Sequence, residues 1–338
     1  MSSDFGYINA RIRGMKAKLL QNEFYTQALA DSDFRAFTGT VAQTPYMADL
    51  EEAQAREPGL GSIDRAVGEN FRRTARSILD FSDGRPHDLL ALFLLRYDLL
   101  NLKTLARAKH AGRGADSALQ VVLPAGDLRP ALIETLAAAP DLPAMAQTLA
   151  VTKHPLSRSF SAAVRRYASD GELYALELSL DRAYFKTLLE TLDSLDASRE
   201  LRRHVQRELD ATNLSTALKL RGKVVQNDEL YVPGGREIDR GTFDAIIADA
   251  SKSALAPLSG GSFSEVANTD SLSEADAVIR RVLDQSAHRL ALSDPLGPGI
   301  ALDFLRRKEA EMARLRLLAR GKYYQVPRSQ LERELGHA

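Results

Sequence analysis

The stretch RYDLLNLKTLARAK, Arg96 to Lys109, is written in looser form twice more, as ELDATNLSTALKLR at 208–221 and EAEMARLRLLARGK at 309–322. Aligned without a gap, each copy opens on a charged residue and places a carboxylate two residues on: Asp98, Asp210 and Glu311. Asn101, Asn213 or Arg314 follows, then Leu, and each copy ends on two basic residues spaced by one, the last being Lys109, Arg221 or Lys322. Residues eleven apart return to nearly the same side of an α-helix after about 16 Å of rise. Asp98 with Lys109, Asp210 with Arg221 and Glu311 with Lys322 therefore share a face but cannot pair with each other. Each must find its partner elsewhere, and a buried polar group tolerates only arrangements that satisfy it. These positions are expected to fix how helices meet.

The copies recur at the period of a small domain, 112 residues from Arg96 to Glu208 and 101 from Glu208 to Glu309. A second echo keeps the same order: the aspartates of IDR 63–65, LDR 180–182 and LDQ 283–285 precede Asn101, Asn213 and Arg314 by 37, 32 and 30 residues. Another IDR, at 238–240, falls outside that register. At 338 residues the chain has room for two or three domains. Three helical repeats are expected: 1–114 with the N-terminal helix, 127–222, and 235–338 with the C-terminal helix.

Ala, Leu, Arg and Glu dominate, and β-branched residues rarely alternate over a strand's length, so the chain is expected to be all-α. A first helix over 7–20 places Ile8, Ile12, Met15 and Leu19 on one stripe and leaves Arg11, Arg13 and Lys16 on a basic outer face. Helices are expected at 23–30 and 33–42, the latter capped by Ser32 or Asp33, then after Pro45, from Ser62 to before Asp83, and from His87 to His110 with a left-handed stop at Gly112. Further helices are expected near 142–150, 156–168, 171–195, 198–221, from Phe243, at 272–291 and at 300–324. The segment 114–130 and the turn-rich VPGGREIDRG at 232–241 are expected to be connections.

Composition narrows function. Basic and acidic residues balance at 45 each, so no global field favours nucleic acid. With no cysteine there is no disulfide, thiolate nucleophile or sulfur metal site. The longest apolar run, LLALFLL at 89–95, is far short of the roughly 20 residues a membrane span needs, so membrane association is expected only through partners. The N-terminus lacks a signal peptide's apolar core. GLGS, PGGRE and SGGS lack the ending of a phosphate loop, the six histidines show no ligand spacing, and no nucleophile motif occurs. No catalytic, cofactor or metal residue is expected. Local charge is more telling: Arg306 to Glu334 is basic by nine to four, whereas Asp170 to Asp196 is acidic. Such segments are solvated faces or docking surfaces.

YINARIRGMKAKLL at 7–20, the threefold repeat, RYDLLNLKTLARAK and the closing RLRLLARGKYYQVPRSQLERE at 314–334 together resemble the C-subunit family of the archaeal and bacterial V/A-type ATPases and synthases, counterpart of the d subunit in the eukaryotic vacuolar enzyme. The likeness spans the whole chain. It implies a funnel of three similar helical domains around a pseudo-threefold axis, with no active site and no cofactor. In that family the funnel is a socket on the cytoplasmic face of the membrane, between the central shaft of the catalytic sector and the proteolipid ring. A helical scaffold without a rotary role is the alternative. Arg11, Arg13 and Lys16 are the expected partner contacts.

Overall fold

The computed structural model describes residues 5–223 and 230–337, and every regular element among them is helical. Residues 1–4 and 338, which the expected first and third repeats include, lie outside the described residues. The opening helix α1 (Gly6–Lys16) is followed by α2 (Asn22–Ala30), α3 (Phe34–Val41), α4 (Met47–Arg56), α5 (Leu60–Asp80) and α6 (Gly84–His110). A short α7 (Ala115–Leu119) leads to α8 (Pro130–Ala138), α9 (Leu142–Ala150), α10 (Ser157–Asp170), α11 (Leu173–Ser194) and α12 (Arg199–Leu220). Next come α13 (Arg240–Ala248), 3-10 turns at Lys252–Leu258 and Ser264–Asn268, α14 (Leu272–Ser293), α15 (Gly299–Tyr323) and α16 (Arg328–His337).

The same order thus occurs three times: a helix of nine residues (α2, α8, α13), two short elements, then two long helices. Local chemistry sets the boundaries. Asp33, Asp141 and Asp239 cap α3, α9 and α13 by accepting the amides of Ala36, Ala144 and Thr242 at 2.9, 2.8 and 2.7 Å. After α6, Gly112 sits at φ 63°, and Arg113 N–H closes the turn on Ala108 O. After α15 the same closure, Val326 N–H to Gly321 O, is made with Gln325 at φ 56°.

Contacts divide the chain into two compact units, Met1–Leu90 with Ala291–Ala338, and Ala91–Leu290. In the first, α15 is flanked by α1, α3 and α5, and the core is built on Ile12, Phe37, Tyr46, Phe71 and Phe304. Along α5 the buried Ile63, Val67, Phe71 and Ile78 follow helical spacing. In the second, α9, α10, α11, α12 and α13 bury Leu149, Phe160, Leu188, Leu214 and Phe243.

Several expectations shift. The first helix stops at Lys16 rather than 20, because residues 17–19 form a turn ahead of α2. The last helix of the first run starts at Gly84, not His87, and the 114–130 segment contains α7. The nine-residue α8 and the terminal α16 were not expected at all. No helix among the described residues is long and apolar enough to cross a membrane.

Candidate interaction site on the three signature helices

The repeated stretch lies on α6, α12 and α15, and in each its carboxylate meets the start of a nine-residue helix. Asp98 accepts the amides of Asp127 and Leu128 ahead of α8 at 2.7 and 3.1 Å. Asp210 accepts those of Arg236, Glu237 and Ile238 ahead of α13. Glu311 accepts that of Leu20 ahead of α2 at 2.6 Å. Leu128, Ile238 and Leu20 occupy one position, the residue before the N-cap. At the other end the basic residue meets the same helix's carbonyls. Lys109 donates to Ala137 O, Arg221 to Asp249 O at 3.1 Å and to Ser251 O, and Lys322 to Leu29 O at 2.9 Å and to Asp31 O.

The geometry follows from helix physics. Leu20 to Asp31 and Ile238 to Asp249 are each eleven residues, the spacing of the carboxylate and the base on the signature helix. Two helices running in the same sense therefore match end to end, with an acid at the positive end of the short helix and a base at its negative end. The partner is always the nine-residue helix that follows in the cycle, and for α15 the next one is α2, near the start of the chain.

Between these ends the asparagine holds an extended residue by both backbone groups. Asn101 exchanges two 2.8 Å hydrogen bonds with Leu123, and Asn213 exchanges bonds of 2.8 and 3.0 Å with Val232. Each partner precedes a proline, which favours the extended backbone that leaves both groups available. The third copy has α1 upstream of α2, and a helix has already used those groups. Arg314 instead lies 5.5 Å from the ring centre of Tyr25 on α2. A Cβ at Gly126 or Gly235 would overlap the carboxylate of Asp98 or Asp210, which explains glycine at both.

The three carboxylates are buried, and Asp98 and Glu311 find further donors. His154 contacts Asp98 through Nε2 at 3.1 Å, while its Nδ1 accepts Leu156 N–H, so Nε2 carries the proton. Glu311 accepts Tyr46 O–H at 2.7 Å and Lys308 Nζ at 2.6 Å. His154 and Tyr46 both stand two residues after a threonine that accepts their amide. Burial raises the Asp210 carboxyl above its ordinary value even though three amides oppose the shift. Burial likewise lowers the Lys322 ammonium.

A second face of the signature helices carries ion pairs. Lys103 meets Asp181 at 2.6 Å, and Arg107 meets Glu177 at 2.6 Å, joining α6 to α11. On α15, Arg316 and Arg320 meet Asp64 of α5 at 3.1 and 3.0 Å. Burial pushes Asp181 up, with Lys103 opposing, and its hydrogen bond to Glu177 raises Arg107. A cavity of about 540 Å³ opens beside this face among α6, α11, α12 and α14, lined in part by Leu100, Lys103, Tyr174, Asp181, Lys219 and Leu283. Leu100 and Tyr174 are 50% and 41% exposed.

On the basic face of α1, Arg11 and Arg13 are exposed, Arg11 stacking 4.5 Å from the Phe81 ring centre, and half-buried Lys16 pairs with Asp303 at 2.6 Å. Burial alone would raise the Asp303 carboxyl, but Lys16 and Arg307 outweigh it and hold it below its ordinary value. Sequence analysis missed Lys103, Arg107 and Glu177, although the IDR and LDR echoes marked Asp64 and Asp181. It also missed that IDR 238–240 opens α13, as Leu128-Arg129-Pro130 opens α8. The signal was present in the apolar-Pro-x-Gly strings at 123–126 and 232–235. Among the described residues no group of three or more His, Asp or Glu side chains could hold a metal ion.

Residues 8–334 match the family model described as ATP synthase (C/AC39) subunit. The chain is 37% identical over 336 residues to the C subunit of a V-type ATP synthase from Deinococcus radiodurans, covering 99% of this chain and 92% of that one. It is 35% identical over 335 residues to the C subunit of the V-type ATP synthase from Thermus thermophilus, covering 99% of each. To the C subunit of the A-type ATP synthase from Haloferax volcanii it is 24% identical over 340 residues, covering 97% of this chain and 96% of that one.

Proposed function

The chain belongs to the ATP synthase (C/AC39) subunit family, and on that premise we propose that it is the non-catalytic central-stalk socket of a V/A-type ATPase or synthase. On this proposal the three expected helical repeats, 1–114, 127–222 and 235–338, are the socket's three domains. The tip of the catalytic sector's shaft enters the mouth, and the closed base sits on the proteolipid ring at the cytoplasmic face of the membrane. Shaft, socket and ring then turn together, so that ion passage and ATP chemistry are coupled through this chain without its touching either.

The observation that carries this proposal is the clamp made three times over. A torque transmitter must not slip, and each signature helix grips the next short helix at both ends through directional bonds, with a buried carboxylate at one end, that have few alternative arrangements. Arg11, Arg13 and Lys16 form the proposed contact surface on α1: Arg11 and Arg13 are exposed, and Lys16 is half-buried in its pair with Asp303. Native purification tests the proposal: proteolipid and shaft subunits should come down with the tagged chain. Recovery of neither would leave a helical scaffold without a rotary role.

A further inference from the structure

The three clamps differ in what each would leave behind on opening. Glu311 holds the amide of Leu20 ahead of α2, but it also holds Tyr46 O–H and Lys308 Nζ, neither of which belongs to α2. Asp98 likewise has His154 besides the amides ahead of α8. In the remaining cycle that donor is lost. Thr44 and Thr152 close turns on Val41 O and Leu149 O two residues before Tyr46 and His154, and Gly261 closes the same turn on Leu258 O two residues before Phe263. Phe263 has no proton to give, so among the described residues Asp210 is held by the amides of Arg236, Glu237 and Ile238 alone. Parting α13 from α12 would strand a buried carboxylate, whereas parting α2 from α15 takes one amide from Glu311 and leaves it a hydroxyl and an ammonium.

The other ties follow the same order. α2 buries Ala28, with Phe24, Tyr25 and Leu29 half-buried, against Ile133, Leu136 and Ala137 on α8 and Phe243 and Ile246 on α13. Asn101 and Asn213 pin the segments ahead of α8 and α13, while Arg314 reaches only the Tyr25 ring of α2 itself. α8 and α13 follow closely on the helices that grip them, but 291 residues separate Leu20 from Glu311. Ala17, Lys18 and Gln21 before α2, and Ser32 and Asp33 after it, are exposed. α16 stays with α15, where Leu331 fills the space beside Gly321. The main hold on α2 is therefore Lys322, through Leu29 O and Asp31 O.

We propose that α2 is a releasable strap, which leaves α15 as one unit hinged at 17–21 and 31–33 while α8 and α13 stay clamped. The inference stands apart from the socket proposal; under that proposal it names the joint that yields as the chain takes up or lets go of the shaft.

Hydrogen exchange of the full chain, resolved to single amides, tests this. The protected amides of α2 should share one protection factor, at least tenfold below those of α8 and α13. Thiol trapping reads the same opening, since the sequence has no cysteine and Ala28 and Ala137 are both 0% exposed. Ala28→Cys should react with iodoacetamide at least tenfold faster than Ala137→Cys. Low urea should quicken the second more than the first, because releasing nine residues uncovers little surface. Circular dichroism checks that the variants fold, and exchange in the wild type decides if one does not. Equal protection of α2, α8 and α13, protection graded from the ends of α2 inward, or equal labelling of the two thiols would overturn the inference while leaving the socket intact.

Discussion

Asn213 satisfies both the N–H and the C=O of Val232 in buried surroundings. Asn213→Ala should cost about 2–6 kcal/mol, since two backbone groups lose their partner at roughly 1–3 kcal/mol each; urea unfolding measures it. Gly235→Ala should cost a similar amount by displacing the Asp210 carboxylate from its three amides. Charge at this scale has a pH signature. Because Lys16 and Arg307 hold Asp303 below its ordinary value, its contribution to stability is fully present above about pH 4 and fades as pH falls through the depressed value. Asp303→Asn should therefore lower stability at neutral pH and flatten the acid limb of the stability curve.

Among the elements, α2 depends on a base nearly 300 positions away in the chain. Lys322→Met removes the donor to Leu29 O and Asp31 O, so amide exchange across 22–30 should accelerate about tenfold while α8 and α13 keep their wild-type rates. Gln325→Gly should do the opposite at the end of α15. It relieves a left-handed residue that α6 solves with Gly112 and should add about 0.5–1 kcal/mol. The helices themselves were legible because the apolar residues of α5, α9, α12 and α14 keep a strict period and because Asp33 and Gly112 punctuate them. α8 was not, since PALIETLAA is apolar nearly all round and its own Pro130, with Pro124 before it, looks like a linker. The eleven-residue spacing told that Asp98 and Lys109 act on one face, but not that their common target is a parallel helix of matching length. That target is visible only once α8, α13 and α2 are seen to be equivalent, and α2 stands at the other end of the chain from the helix that grips it.

For the whole molecule, the proposed socket role asks for helices held firmly against each other, and the three clamps hold them so. Basic and acidic segments that looked like docking surfaces are partly spent internally: Arg107 and Lys103 take up Glu177 and Asp181, and Arg316 and Arg320 take up Asp64. Under the socket proposal, the exposed charge at Arg11 and Arg13 predicts that at least one interface of the assembled complex weakens as salt is raised. The most direct measurement of the socket proposal is ATP-driven ion uptake by reconstituted vesicles, recorded beside ATP hydrolysis, with and without this chain. Without it hydrolysis should persist and uptake should stop, and adding it back should restore uptake. Full uptake in its absence would contradict the proposed coupling role.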